Sequence, residues 1–425
     1  MIVVMEFQKK RLVNGLRVIA VPMKNTNTVT VLVLVGTGSR YENRKNNGIS
    51  HFLEHMFFKG TKRYPDAGEL NKRLDAIGAS HNAFTSKEDT GYWVKAHAKH
   101  FRLALGFVAD ILQRALIKKS EIERERGVIF EEMKMYLDTP RIYVWSVFER
   151  LLYGDQPAGW DTIGTAETLK AFYRPDFIAY LKKHYVARNA VVIVSGHIDG
   201  QTVFKNTEKE FRHLGRGRVI QKRKLRTPRK GPRVSVVTRS TDQTHLLLGV
   251  GGFSYNHKDR FVAEVLATIL GGYMSSRLFM NIRERRGLAY SVSAVHHSYT
   301  DAGYLAVYAG IPHEAHLKVP GYVIEEFQKV RKNGVSAEEL VRAKEHIRGR
   351  LAIALESTDE VASFFGSQEV LVGKTFTPSQ VLAKIDKITR GDIQRVAKHI
   401  FTPSNYYLAC IGAQLNEQRL LSVIS

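Results

Sequence analysis

Three side chains in the run His51-Phe-Leu-Glu54-His55 are spaced to do chemistry together. On a helix turning about 100° per residue, His51 and His55 lie about 40° apart and Glu54 about 60° to the other side of His51, so all three share one face. Two neutral imidazoles one turn apart can grip one Zn²⁺ through a nitrogen each. A carboxylate beside them can reach a water at the metal without being a ligand, which is the equipment for hydrolysis. The order H-x-x-E-H is the inverse of H-E-x-x-H.

With 16 His and 41 acidic residues among 425, the pattern arises by chance roughly 0.06 times per chain. The plain alternative is a surface helix whose two histidines happen to share a face. What distinguishes the two is a third protein ligand, which zinc requires and which must come from elsewhere. Residues 119–137 predict a helix with an apolar stripe at Ile122, Val128, Ile129 and Met135, and it also carries Glu125, Glu131 and Glu132. Seven residues bring a helix back to within about 20° of the same face, so Glu125 and Glu132 stack two turns apart. Glu132 is the natural third ligand and Glu125 an outer carboxylate beside it. A solvated acidic face accounts for Glu121, Glu123 and Glu131.

The elements that must position these residues are a mixture of strands and helices. Leu16 to Val21 and Thr28 to Val35 are β-branched runs, the second ending at Gly36-Thr-Gly38. The metal helix follows, then a short helix from Gly68 to Ile77 stopped by Gly78, and a hairpin from Ala79 to Lys95. Residues 98–116 predict a helix striped by Phe101, Leu105, Val108 and Leu112. A helix from Pro175 to His184 and a strand from Ala190 to Gly196 close the first half.

The pattern then restarts. Thr238 to Gly252 aligns without gaps on Lys24 to Gly38 at an offset of 214, pairing Thr30 with Thr244, Leu32 with Leu246, Leu34 with Leu248 and Gly38 with Gly252. The second half also ends in a strand, Tyr406 to Gly412. The fold class expected is α+β: two structurally repeated halves, each a mostly antiparallel sheet with helices on one side, joined by a basic linker. The boundaries expected are 1–213 for a zinc-binding catalytic domain, 214–232 for the linker and 233–425 for a homologous domain. In the second half Gly271-Gly-Tyr-Met-Ser-Ser-Arg-Leu-Phe279 is expected at the H-x-x-E-H position, so only the first half binds metal.

A chain of 425 residues exceeds one small core, and its 44% hydrophobic content is that of a soluble globular protein. No run of 18 apolar residues occurs, and Met1 to Lys10 lacks a secretory or transit pattern. A cytoplasmic, bacterial protein without membrane insertion is expected. The single cysteine, Cys410, excludes intrachain disulfides and sits in an apolar run expected in the core. The net charge of +23 invites a nucleic-acid reading, but the densest basic run, Gly215 to Lys230, has no aromatics and no zinc-finger or RNA-binding signature. A solvated linker or charged surface is the better account, and no nucleic-acid partner is expected.

As a set, these residues resemble the pitrilysin/insulinase family of zinc peptidases, and within it the half-length processing-peptidase β subunits and their bacterial homologues. The likeness rests on Gly38-Ser-Arg-Tyr-Glu42, Gly48 through Thr61, Asn82-Ala-Phe-Thr85, and Glu125 through Met133. In the second half it rests on Gly271 through Phe279 and on Arg283-Glu-Arg-Arg-Gly-Leu-Ala-Tyr290. The resemblance implies one Zn²⁺ per chain held by His51, His55 and Glu132, with Glu54 as general base and Glu125 as supporting glutamate. It implies that Asn82 and Ala83 lie on an edge strand whose backbone pairs with an extended substrate. It implies that Arg283 and Tyr290 hold substrate backbone and stabilise the oxyanion. Gly154-Asp-Gln-Pro-Ala-Gly159 departs from the His-Pro common in relatives and is given no catalytic weight.

The activity so implied is zinc-dependent endopeptidase cleavage of unfolded peptides or presequence-like segments inside an enclosed chamber. In relatives with four such domains the Arg/Tyr pair comes from the second half of the molecule. A homodimer with composite sites is therefore expected, or a heterodimer with an inactive homologue. The alternative is a non-catalytic structural or partner subunit of the same family. Such subunits lack part of the metal set, whereas this chain keeps every element.

Overall fold

The strands are β1 (Gln8–Arg11), β2 (Arg17–Pro22), β3 (Thr28–Val35), β4 (Ser80–Thr85), β5 (Thr90–His97), β6 (Ala190–Gly196), β7 (Arg233–Thr238), β8 (Thr244–Gly251), β9 (Ser291–Ser298), β10 (Gly303–Ile311) and β11 (Tyr406–Gly412). This computed structural model describes residues 5–226, 231 and 233–425. Residues 1–4, 227–230 and 232, with part of the expected linker and basic run, lie outside the described residues. The helices are α1 (Ile49–Phe57), α2 (Ala67–Asp75), α3 (Phe101–Arg114), α4 (Lys119–Asp138), α5 (Pro140–Tyr153), α6 (Ala166–Ala171), α7 (Arg174–His184), α8 (Gly200–Phe211), α9 (Arg260–Gly271), α10 (Lys318–Asn333), α11 (Ala337–Ala354), α12 (Thr358–Val372), α13 (Pro378–Asp386), α14 (Arg390–Ile400) and α15 (Glu417–Ile424).

Two sheets organise these elements, in the orders β1-β2-β6-β3-β5-β4 and β7-β11-β8-β10-β9. Each is antiparallel except for one pair, β2 with β6 in the first and β7 with β11 in the second. The unbroken β-branched run of β3 follows from its place: it is buried from Val29 to Val35 because both faces of the sheet are covered. β4, at the edge, alternates between exposed and half-buried positions.

The chain divides into two compact units, each built around one sheet. The first comprises residues up to 133, 161–223 and 352–379; the second comprises 134–160, 224–351 and 380–425. Neither is a continuous stretch. In the first unit α1 and α7 pack on the face bearing Tyr92, where Phe57 and Tyr185 meet its ring. α12 packs on the opposite face: the Thr30 hydroxyl lies 2.8 Å from that of Thr358, and Gly366 sits against Leu34 and Ile193. In the second unit α5 plays the same part, packing Val144 and Phe148 on Leu247, Tyr304, Ala306 and Tyr407. Gly249 leaves room for the Phe148 ring, which a Cβ there would meet at 2.6 Å.

The repeat extends beyond the strands. α1 ends at Phe57 and α9 at Gly271, again 214 residues apart, so Val265 and Ile269 stand where His51 and His55 stand. Gly271 through Phe279 therefore follows the counterpart helix and does not replace its metal motif, which corrects the placement expected from sequence. The reason is that Val262, Val265, Leu266, Ile269 and Leu270 recur at helical spacing and are buried, forming α9 itself. From α7 to α14 and from β6 to β11 the offset is 216, carrying Tyr180 onto Val396 and His184 onto Ile400.

Candidate metal centre

α1 is short, and its sequence divides it cleanly between packing and chemistry. Ile49, Phe52, Leu53 and Met56 recur at helical spacing and are all buried, Phe52 against Phe172 and Phe177. Each fully buried Phe contributes about 1.5–3 kcal/mol of apolar burial, enough to fix which face of so short a helix is turned inward. His51, Glu54 and His55 lie on the remaining face. In α4, Ile122 and Ile129 are buried and turn Glu125 and Glu132 toward α1.

The structure brings His51, His55 and Glu132 together: one ligand atom from each lies within 4.8 Å of the other two. His51 Nε2 is 3.5 Å from Glu132 Oε1 and His55 Nε2 is 3.3 Å from Glu132 Oε2. Ligands about 2.0–2.1 Å from a tetrahedral ion stand about 3.4 Å apart, a spacing that this donor set approaches. Two imidazoles and one carboxylate are also the donor chemistry of a catalytic zinc site with one position left open. His51 Nδ1 is buried and makes no hydrogen bond among the described residues.

Around this set lies a row of charge. His55 Nδ1 is 3.2 Å from Glu125 Oε2, and Lys59 Nζ is 2.6 Å from Glu125 Oε1. Burial works against a charged His55, but the hydrogen bonds to Glu125 and Glu132 outweigh it and raise its pKa to about 9. Burial likewise opposes ionisation of Glu125, and hydrogen bonds from His55 and Lys59 reverse it, leaving the carboxyl below its ordinary range. Glu125 thus fixes the His55 ring through the nitrogen that faces away from Glu132. Glu54 Oε2 accepts a hydrogen bond from Thr85 Oγ1 at 2.6 Å.

Thr85 ends β4, the edge strand that also carries Asn82 and Ala83. Asn82 pairs with Trp93 and Ala83 with Tyr92 on β5, and among the described residues no strand lies beyond them. The Ala83 N–H donates to Asn82 Oδ1 at 2.9 Å. Arg283 and Tyr290 belong to the second unit. Arg283 lies in a π-helical segment, Phe279–Glu284, and its Nη1 donates to the Tyr290 carbonyl at 2.8 Å. The guanidinium also sits over the rings of Phe279 and Tyr290, and Tyr290 is 80% exposed, so the pair is neighbourly and accessible.

Lys59 and Thr85 were given no role from sequence. Lys59 stands four residues after His55, one helical turn on, and that spacing was the available signal for a shared partner. Thr85 closes the Asn82-Ala-Phe-Thr85 motif, but that gives it no role, because its contact with Glu54 depends on how β4 meets α1.

A repeated sheet-and-helix scaffold with an inverted histidine motif facing a glutamate from a second helix defines a class of metal-dependent peptidases, and comparison with known proteins agrees. A family model described as "Insulinase (Peptidase family M16)" matches residues 17–165, and one described as "Peptidase M16 inactive domain" matches 171–347. The "uncharacterized zinc protease YmxG" of Bacillus subtilis is 35% identical over 406 residues, spanning 95% of this chain and 97% of that protein. An "uncharacterized zinc protease" of Rickettsia bellii is 34% identical over 399 residues, spanning 94% and 96%. Among solved structures, a protease from Helicobacter pylori superposes with a TM-score of 0.89 at 27% identity, covering 96% of this chain and 99% of that one. A peptidase M16 inactive domain from Pseudomonas fluorescens, 17% identical, shares the fold with a TM-score of 0.88 over 97% and 99%. The chain belongs to the insulinase family of peptidases, family M16.

Proposed function

We propose that the chain is a zinc-dependent endopeptidase acting on unfolded peptides or presequence-like segments within an enclosed chamber. The observation that carries this is the convergence of His51, His55 and Glu132 beside Glu54. Zinc held by those three side chains would supply Lewis acidity toward the scissile carbonyl and lower the pKa of a water molecule to about 7. Glu54, held by Thr85, takes the proton of the attacking water and returns it to the leaving amine. The free edge of β4 at Asn82 and Ala83 offers main-chain hydrogen bonds to an extended peptide. Arg283 and Tyr290 bind substrate backbone and steady the oxyanion.

The enzyme so proposed is cytoplasmic; no described helix is long and apolar enough to cross a membrane. It works as a dimer, most simply a homodimer, in which the Arg283/Tyr290 pair of one chain serves the metal site of the other. Metal analysis with a quenched-peptide assay tests the reading, with about one zinc per chain and zinc-dependent hydrolysis expected. A chain that holds no zinc and cleaves no peptide is the outcome that sinks it and favours the partner-subunit alternative. The composite site has its own test. Equal mixing of Glu54→Gln and Arg283→Ala chains should recover about a quarter of wild-type activity, since about half the exchanged dimers are hybrids with one intact site. No recovery despite demonstrated exchange removes the shared site.

A further inference from the structure

α1 begins at Gly48, and that residue cannot supply its own cap. Its φ is +97°, and a Cβ there would meet the Ile163 carbonyl oxygen at 2.6 Å, so only glycine fits. The first-turn amides still need acceptors. They find them six and eight residues upstream: Glu42 Oε2 accepts from the Gly48 N–H at 2.8 Å and Glu42 Oε1 from the Ser50 N–H at 2.9 Å. The Asn47 side chain donates to the same Oε2 at 3.0 Å. Glu42 is 2% exposed, so this is a fully enclosed carboxylate at the positive end of the helix dipole.

The clamp continues into the sheet. Ser50 Oγ lies 2.7 Å from Tyr180 Oη, which lies 2.8 Å from Thr37 Oγ1, which lies 3.2 Å from His184 Nδ1. The apolar stripe of α1 decides which face is buried but leaves the helix able to slide or rotate slightly. Hydrogen bonds to the amides on either side of its first residue remove that freedom. The repeat supplies a control. Asn256, 214 residues after Glu42, is exposed, and the buried carboxylate at the start of α9, Asp259, pairs with Arg395 and does not cap the helix; Val396 and Ile400 replace Tyr180 and His184.

We infer that Glu42 is a positioning residue for the metal site, its buried carboxylate fixing the axial register and rotation of α1 and thereby of His51, Glu54 and His55. This rests on the zinc reading above. Outer groups that orient metal ligands are worth about 10–100-fold in metal affinity.

The test compares Glu42→Gln with Glu369→Gln. Glu369 is an equally buried carboxylate in the same unit, 1% exposed, that binds Lys9 and Arg17. Zinc affinity is measured by chelator competition well below both melting temperatures, and Co²⁺ substitution reports ligand geometry through its visible bands. Glu42→Gln should lose about 10–100-fold in zinc affinity and shift the Co²⁺ spectrum, while Glu369→Gln stays within about twofold of wild type. Wild-type zinc affinity in folded Glu42→Gln, or equal losses in both variants, overturns the inference and leaves the zinc reading standing. A wild-type chain that takes up no zinc overturns both. Should Glu42→Gln fail to fold, hydrogen exchange on the wild type decides: the Gly48 and Ser50 amides should be protected with zinc and after its removal. Free exchange at those two amides would discard the clamp.

Discussion

α1 and α9 occupy the same place in the two repeats and are held there by opposite means. α9 fills the corresponding positions with core side chains, Val265 0% and Ile269 1% exposed, and the buried carboxylate at its start, Asp259, is taken up by Arg395 of α14. α1 gives up that face to His51, Glu54 and His55, and an enclosed polar network of Glu42, Ser50, Tyr180, Thr37 and His184 lies beneath it. Buried polar groups cost stability unless fully satisfied, and at the positions of Tyr180 and His184 the second copy has Val396 and Ile400, which ties this network to the orientation of α1. What a packed interior does for position in one unit, a network of directional bonds does for geometry in the other.

The most drastic way to break the comparison is to make α1 resemble its counterpart. His51→Val with His55→Ile should abolish zinc binding and all peptide hydrolysis. The zinc-free chain should melt within a few degrees of zinc-free wild type, since both positions keep an apolar body and neither anchors the core. A fall of more than about 10 °C would mean that the histidines are structural. Glu54→Gln is milder: zinc should stay at one per chain while turnover drops by about 10²–10⁴-fold, the usual worth of a general base. Substantial hydrolysis by the purified variant would remove Glu54 from that role.

The next effect sharpens the comparison around the outer shell of the metal set. Glu125→Gln should weaken zinc binding by about 10–100-fold, because the amide no longer holds His55 against Lys59. Lys59→Met should weaken it less, and it should add little in a Glu125→Gln background, where its partner's charge is already gone. Additive losses in the double variant would show that Lys59 acts by another route.

How much of this was legible beforehand divides by range. The metal face of α1, the stacking of Glu125 with Glu132, and the repeat at Thr30/Thr244 are local periodicities, visible because helices and strands place side chains by fixed rotations. The placement of α12 in the first unit and α5 in the second was not legible. Neither has a strongly one-sided apolar pattern, and nothing in its sequence names the sheet it covers. Glu42 was visible as part of a motif, but its function was not, since the contact depends on a loop returning to the start of α1. α9 has a clear apolar face opposite Arg260, Glu264 and Thr268, but nothing in that pattern marks it as the counterpart of α1, because Val265 and Ile269 carry no chemistry.

The smallest effect concerns His184, whose counterpart is Ile400. Its ring is 1% exposed along the side of the Tyr180 ring, stacked at 4.3 Å, with the Tyr41 ring edge-on and Lys183 adding positive charge nearby. Burial first, and then Lys183, lowers its pKa to about 4, so the folded chain keeps it neutral at pH 7. An unfolded histidine titrates near 6.5. Between those values the unfolded chain binds the extra proton and the folded chain does not, so folding stability falls as pH drops from about 6.5 toward 4. Above 6.5 the contribution is complete and flat. Other carboxylates and His296 titrate over the same range, so the quantity to measure is a difference. The melting temperature of wild type minus that of His184→Gln should shrink by a few degrees between pH 7 and pH 4.5 and stay constant from pH 7 to pH 8. Activity at pH 7 should change less in this variant than in any of the others, because the ring reaches α1 only through Thr37, Tyr180 and Ser50. A difference that is flat across the acid range would mean that the ring is already solvated when charged, and that the network under α1 ends at Tyr180.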